Sequence, residues 1–180
     1  MQSDHRKEGR KLSSKNIKKL VTSAMFVAII IALSGLYIPV GASKCLPIQH
    51  MVNILSAVLL GPGWGVAIAF CASLIRNLLG TGTLLAFPGS MAGALCCGLV
   101  YYFFKNLPLT YISEVAGTGI LGGLLAWPFA KYLMGTDAAI FAYVIPFLVS
   151  TTGGTIIAAI LIAILAKTKA LAYLKGLLAQ

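Results

Sequence analysis

Acidic residues are scarce in this sequence, and charges of either sign are rare outside its two ends. Only four aspartate and glutamate residues occur in 180, so catalysis by paired carboxylates has almost no material. No Walker, nucleophile-elbow, zincin-helix or dinucleotide motif is present. The four cysteines show no paired C-x-x-C spacing and are expected to be apolar thiols. We therefore predict no catalytic residue, no metal site and no cofactor bound by this chain.

Hydrophobic residues, in contrast, are abundant. They make up 59% of the chain, charged residues only 10%, and the mean hydropathy is +0.93. A soluble domain of this length could not bury so much apolar surface, so we expect one all-α integral membrane domain. The apolar run at residues 20–36 is as long as a full span, which favours a first transmembrane helix over a cleaved signal peptide.

The net charge of +10 is concentrated at the two ends of the chain. Seven basic residues precede the first apolar run, and Lys167, Lys169 and Lys175 follow the last one. Basic residues beside spans stay in the cytoplasm, so we predict a multi-pass protein of the cell membrane with both termini cytoplasmic. The basic ends also suit anionic lipid. Nucleic acid is not an expected partner, because no aromatic residues alternate with the basic ones.

Proline, glycine and charge divide the apolar sequence into six segments. They cover residues 19–36, 48–60, 64–79, 88–105, 111–132 and 137–166, the last with a kink expected at Pro146. The prediction is a basic tail at 1–17, a six-helix membrane domain at 18–168 and a C-terminal tail at 169–180. With a cytoplasmic N-terminus, the loops at 37–47 and 80–88 face outward, and we expect them to cap a ligand pocket.

Polar residues cluster around these two loops. The candidate ligand-binding residues there are Lys44, Gln49, His50, Asn53, Arg76 and Asn77. His50 and Asn53 lie three residues apart on one helix face, and their side chains suit a small polar heterocycle. Two alternatives stay open. The amides and the imidazole can instead bond neighbouring helices, and Arg76 and Lys44 can reach lipid phosphate.

Three residues of the later segments are also notable. Trp127 can stack on a ligand ring or anchor the protein at the membrane interface. Thr151 can offer its hydroxyl to a ligand or to its own helix. Glu114, the only acid expected to be buried in the spans, is predicted to hydrogen-bond within the protein or to meet a partner subunit rather than to relay protons.

Ala24, Ala28 and Ala32 form a stripe of small residues along the first segment. Small residues at a spacing of four allow another helix to approach closely. The stripe is therefore predicted to be either an internal packing surface or an interface with a partner.

Three strings give the sequence a family resemblance. They are IPVGASKCLPIQHMVN at 38–53, LLGPGW at 59–64 and RNLLGTGTLLAFPGSM at 76–91. They are similar to the ThiW family of substrate-binding S-components of energy-coupling-factor (ECF) vitamin transporters, and the likeness extends from residue 17 onward. It implies six helices, a pocket near the outer face closed by the first and third loops, and uptake of the thiamine precursor hydroxyethylthiazole.

The resemblance also implies partners. Ala24, Ala28 and Ala32 match an alanine motif that faces a transmembrane coupling subunit, and two ATPase subunits of the ECF module use the ATP. Two other interpretations stay open. One is a self-sufficient small-molecule transporter, and the other is a membrane enzyme in which His50 and Arg76 act on a lipid-borne substrate. The sequence does not distinguish the free thiazole alcohol from its phosphate.

Overall fold

The fold is given by a computed structural model that describes residues 2–40 and 43–179, with side chains described at 14–40 and 45–178. Seven helices and one hairpin make up this part of the chain. They are α1 (Gln2–Ala32), β1 (Ile38–Val40), β2 (Ser43–Cys45), α2 (Pro47–Leu59), α3 (Pro62–Leu78), α4 (Ala86–Phe104), α5 (Leu107–Leu133), α6 (Val144–Lys167) and α7 (Ala170–Ala179).

Proline and asparagine set several helix starts. Pro47 and Pro62 each stand at the beginning of a helix, where the missing amide proton is not needed. Asn106 caps α5 by accepting a hydrogen bond from the backbone amide of Leu109 at 3.0 Å. Within α5, residues 115–122 and 129–133 have the wider π-helical winding. Each of the six predicted apolar segments thus contains a helix.

The short helix α2 is the centre of the bundle. Eleven of its thirteen residues are buried, and it packs against α3, α4, α5 and α6. A helix of thirteen residues is about 20 Å long, which is short for a bilayer, but α2 is surrounded by protein rather than by lipid. Its polar side chains are therefore available only to the interior of the bundle.

The outer faces of the helices are apolar. Phe103 on α4, Ile112 on α5 and Ile145 on α6 are each at least 65% exposed. Helices α4, α5 and α6 are long and apolar enough to cross a membrane, while α2 is a shorter apolar helix. The prediction of an all-α protein of membrane type is confirmed, with the two-stranded hairpin as a small addition.

The boundaries of three predicted segments were wrong. Helix α5 begins at Leu107 rather than at residue 111. Helix α1 ends at Ala32 rather than at residue 36, and α6 begins at Val144 rather than at residue 137. Gly135, with φ +63°, follows the end of α5, and the chain stays non-helical up to Tyr143. Pro146 therefore lies in the first turn of α6, where it breaks no intrahelical hydrogen bond and causes no kink.

The C-terminal segment also differs from the expected tail. Residues 170–179 form α7, which packs against α1, α2 and α6. Leu178 is buried in the main apolar core, and the Lys175 Nζ atom donates to the Tyr101 hydroxyl. This helix is part of the folded bundle.

We expect a substitution of Gly154 to separate α2 from α6. A Cβ atom there would overlap the Pro47 carbonyl oxygen and lie 2.7 Å from the His50 Cβ atom. Gly154→Ala should lower the free energy of unfolding by about 1–3 kcal/mol, the usual cost of overpacking, measured by thermal unfolding in detergent. Gly153→Ala is the matched control, because its Cβ would meet Pro47 only at 3.5 Å. Equal stability of the two variants would contradict this packing.

Candidate functional site

A small cavity lies at one end of the bundle, beside the hairpin and the loop at 80–85. Its volume is about 50 Å³, room for about four water molecules. It is lined by Cys45, Leu46, Gln49, His50, Arg76, Gly82, Thr83, Leu85, Ala86, Gly89, Ser90, Thr118, Phe147 and Ser150. The hairpin is tied to α6 above it by a hydrogen bond from the Cys45 thiol to the Pro146 carbonyl at 3.1 Å.

Behind the cavity wall, His50 is paired with a buried carboxylate. The His50 Nδ1 atom lies 3.1 Å from the Glu114 Oε1 atom, and the Glu114 side chain is completely buried. Among the described side chains it is the one close contact between a basic and an acidic group, and it is an ion pair only if His50 is protonated. Since a carboxylate inside an apolar bundle is costly unless it is hydrogen-bonded, the partners of Glu114 decide how the site is arranged.

Three side chains converge on the same carboxylate oxygen. Besides His50, the Asn53 side-chain amide donates to Glu114 Oε1 at 3.0 Å, and the Thr118 hydroxyl donates at 3.0 Å. Asn53 also donates to the Ser90 carbonyl at 3.1 Å, which joins α2 to α4. Gly93 makes room on α4, because a Cβ there would lie 2.8 Å from both Glu114 oxygens. Helices α2, α4 and α5 therefore meet at this carboxylate.

The other charged residue of the lining, Arg76, is held by neutral groups. The Arg76 Nη1 atom donates to the Gln49 side-chain oxygen, and the Gln49 amide donates to the Ser73 hydroxyl at 3.2 Å. Ser73 in turn lies 3.1 Å from the Ser90 hydroxyl. The Arg76 side chain is only 4% exposed, so it is a buried cation that faces the cavity and not lipid headgroups.

The loop at 80–85 is fastened to the end of α3. The amides of Thr81 and Gly82 both donate to the Arg76 carbonyl at 2.9 Å. The Asn77 side-chain amide donates to the Ser73 carbonyl at 2.8 Å and to the Thr83 carbonyl at 3.0 Å. A Cβ atom on Gly82 would lie 3.0 Å from the Arg76 Cβ, so glycine lets the loop lie directly on Arg76 and close the cavity.

Comparison with protein families identifies the family of the chain. The family model described as thiamine-precursor transporter protein (ThiW) matches residues 20–168. The chain belongs to the ThiW family. The resemblance seen in the sequence is thereby confirmed, and a membrane transporter of thiamine precursors is the function that the family describes. Comparisons with curated proteins and with solved structures gave no significant match.

The residues expected at the site of this ThiW family member do not all reach the cavity. Gln49, His50 and Arg76 line it. Asn53 lies behind it and contacts Glu114, and Asn77 fastens the loop. Lys44 belongs to β2, where it is paired with Pro39, but its side chain lies outside the described residues.

Trp127 and Thr151 also lie away from the lining. The Trp127 indole donates to the Ala138 carbonyl at 2.9 Å, and Lys131 stands 5.0 Å from the centre of its ring. The Thr151 hydroxyl lies 3.5 Å from the Glu114 carbonyl oxygen. The aromatic ring that does line the cavity belongs to Phe147, and the lining hydroxyl of this part of α6 belongs to Ser150.

The main residue that sequence reasoning placed outside the site is Glu114. A signal for it existed, because an isolated acid in an apolar span requires polar partners, and His50 and Asn53 lie at helical spacing in another segment. Phe147 gave no such signal, since it is one of eight phenylalanines in the chain. Its position at the cavity follows from where α6 begins.

The alanine stripe lies on the outer surface. Ala24, Ala28 and Ala32 are all exposed on α1, so they do not pack within the described part of the chain. Ala24 also borders an apolar groove of about 320 Å³ between α1 and α3, together with Trp64 and Ala67. Of the two uses predicted for the stripe, internal packing does not agree with this exposure.

We expect Asn77→Ala to release the loop over the cavity. The substitution removes two hydrogen bonds, one of them to the Thr83 carbonyl, each contributing about 1 kcal/mol. Amide hydrogen exchange at residues 80–85 should accelerate at least about fivefold. Asn106→Ala is the control, because it removes the α5 cap and should lower overall stability without a selective effect on this loop. Unchanged loop exchange in Asn77→Ala would contradict the fastening role.

Proposed function

We propose that this chain is the substrate-capture (S) component of an ECF-type ATP-driven importer and that it binds hydroxyethylthiazole in the cavity from outside the cell. The observation that carries the proposal is the buried polar cluster, which borders a cavity at one end of an apolar bundle. A concave site in which polar groups converge among apolar side chains is the usual form of a small-molecule site.

The distribution of basic residues supports an outward-facing cavity. The cavity lies where α2, α4 and α6 begin and α3 ends. Lys15, Lys18 and Lys19 on α1, Lys105 after α4 and Lys167 at the end of α6 lie at the opposite end of the bundle. Because basic residues mark the cytoplasmic side, we place both termini in the cytoplasm, with α1 to α6 crossing the membrane.

The lining groups suit a substituted thiazole. His50 and Arg76 offer an imidazole nitrogen and a guanidinium, and Ser90 and Ser150 add hydroxyls. Phe147 presents an aromatic ring for contact with the heterocycle and its sulfur. These groups can bind and orient a ligand, and the proposed role requires no chemical change of it.

Binding requires the cavity to open. A volume of about 50 Å³ is well below the roughly 300 Å³ at which ligand pockets begin. The hairpin and the loop at 80–85 are the irregular segments over the cavity, and they carry the lining residues Cys45, Gly82 and Thr83. We therefore assign the closed state to this structure and ligand entry to a movement of these two segments.

The exposed alanine stripe supports a partner in the membrane. Helices associate in lipid through close packing of small residues, and the three alanines form a surface of small side chains on α1. In the proposed importer the transmembrane coupling subunit packs against this alanine stripe, and the two ATPase subunits provide the energy.

His50→Ala should weaken ligand binding. Loss of one hydrogen bond in a buried site corresponds to at least about a tenfold rise in Kd. Isothermal titration of the purified protein with hydroxyethylthiazole checks this. His5→Ala, which removes the only other histidine of the chain, is the control and should bind as the unmodified protein does. If the unmodified protein shows no saturable binding of any thiazole, pyrimidine or thiamine compound, the proposed capture role is wrong.

Ala28→Trp should separate binding from uptake. The bulky ring should leave the Kd unchanged, because Ala28 lies on the outer face of α1, and abolish uptake by cells that contain the complete ECF module. Ala163→Trp places the same ring on an exposed alanine of α6 and should preserve both. Uptake into vesicles that lack ATPase subunits would instead support a self-sufficient transporter.

A further inference from the structure

Two buried groups of opposite charge belong to the site. Arg76 lines it directly, and Glu114 lies one hydrogen bond behind His50. The two groups do not form an ion pair with each other. His50 lies between Glu114 and the cavity. Its protonation and ring orientation therefore decide whether a ligand contacts a hydrogen-bond donor or an acceptor.

The hydrogen-bond donors around Glu114 fix the orientation of the imidazole. The Asn53 side-chain nitrogen can only donate, and it shares the Oε1 atom with His50 Nδ1 and with the Thr118 hydroxyl. The Glu114 Oε2 atom is buried without a hydrogen-bond partner. The Asn53 amide and the Thr118 hydroxyl donate to Oε1 whatever the state of His50, and donors at this oxygen stabilise the ionised carboxylate. The His50 Nδ1 atom then carries a hydrogen and donates it, so the other ring nitrogen, Nε2, is left for the cavity.

The Nε2 atom is the free side of the ring. It has no hydrogen-bond partner among the described residues, and it is not one of the fully buried polar atoms that lack a partner. Because His50 lines the cavity, Nε2 is open to a ligand there. A carboxylate that holds one histidine nitrogen in this way also decides the role of the other nitrogen.

The balance of buried charge decides the protonation of that nitrogen. With an ionised Glu114, a charged Arg76 and a neutral His50, the described groups at the cavity sum to zero. A protonated His50 would leave one uncompensated positive charge in a low-dielectric interior, which is costly. The balanced state is therefore the one in which Nε2 has a lone pair and accepts a hydrogen bond.

We infer that Glu114 is a positioning residue that holds His50 as a neutral hydrogen-bond acceptor in the cavity wall, so that the site selects an uncharged ligand with a hydroxyl donor over its phosphate monoester. The inference rests on the proposed capture of a thiazole alcohol. A phosphate monoester would bring a charge of about −1.5 to −2 to a site whose charges are already balanced.

Nitrogen-15 NMR of the ligand-free protein tests the state of His50 without any ligand. The His5→Gln background leaves His50 as the only histidine. We expect the signature of a neutral ring with hydrogen on Nδ1 at neutral pH. A protonated ring, or a neutral ring with hydrogen on Nε2, would overturn the inference, whatever the protein transports.

Titration with three compounds tests the selectivity. Hydroxyethylthiazole should bind at least about tenfold more tightly than its phosphate monoester and than the ethyl analogue that lacks the hydroxyl. Glu114→Gln keeps an oxygen for the three donors but removes the negative charge, so the ratio of alcohol to phosphate affinity should fall at least about tenfold. Asp137→Asn, which removes an exposed carboxylate, is the matched control and should leave the ratio unchanged.

The outcomes of the two experiments are distinguishable. Equal or tighter binding of the phosphate by the unmodified protein, or an unchanged ratio in Glu114→Gln, would overturn the inference and leave the capture role standing. Absence of binding of all three compounds would overturn the capture role, and the NMR result would still decide the state of His50.

Discussion

The site depends on one carboxylate oxygen that accepts hydrogen bonds from three side chains inside an apolar bundle. Glu114 Oε1 receives His50 and Asn53 from α2 and Thr118 from its own helix. An unpaired carboxylate inside the bundle would cost several kcal/mol. A shift of α2 along α5 would break the hydrogen bonds of Glu114 and is therefore unfavourable. Because Asn53 also donates to the Ser90 carbonyl, the same constraint fixes α4. The position of the His50 imidazole at the cavity is therefore fixed by contacts among α2, α4 and α5.

These contacts require the helix backbones to approach each other closely, and two glycines allow this. Gly93 on α4 faces the Glu114 carboxylate, and Gly154 on α6 faces the start of α2. The floor of the cavity is thus made of side chains on tightly packed helices, which hold functional groups more accurately than loops do. Its cover is different, since the hairpin and the loop at 80–85 are short non-helical segments, held by hydrogen bonds such as those from Cys45 to Pro146 and from Asn77 to Thr83. The packed helices can therefore recognise the ligand, while movement of the hairpin and the loop at 80–85 lets it enter.

The sequence was sufficient to predict the six helical segments, the membrane class and the side chains near the cavity, because hydrophobic runs and isolated polar groups are local signals. It was insufficient to say which of them line the cavity. Asn53 and His50 share one helix face, yet only His50 lines the cavity, since the Asn53 amide is directed to a carboxylate 61 residues away. The start of α6 was missed because residues 137–143 are apolar enough to resemble helix. That error also concealed Phe147.

The balance of charge at the cavity has a consequence for transport across a bilayer. A site that moves its contents through hydrocarbon or across a membrane potential carries its net charge with it, at about 2.3 kcal/mol per elementary charge for each 100 mV. Arg76 and Glu114 cancel in this respect, and a neutral ligand preserves the cancellation. Because Arg76 and Glu114 are not paired with each other, a positive and a negative group both remain available to orient the ligand. In a direct ion pair, each charge would instead interact with the other. In the proposed importer, the arrangement that positions the imidazole is thus also the one that lowers the cost of crossing.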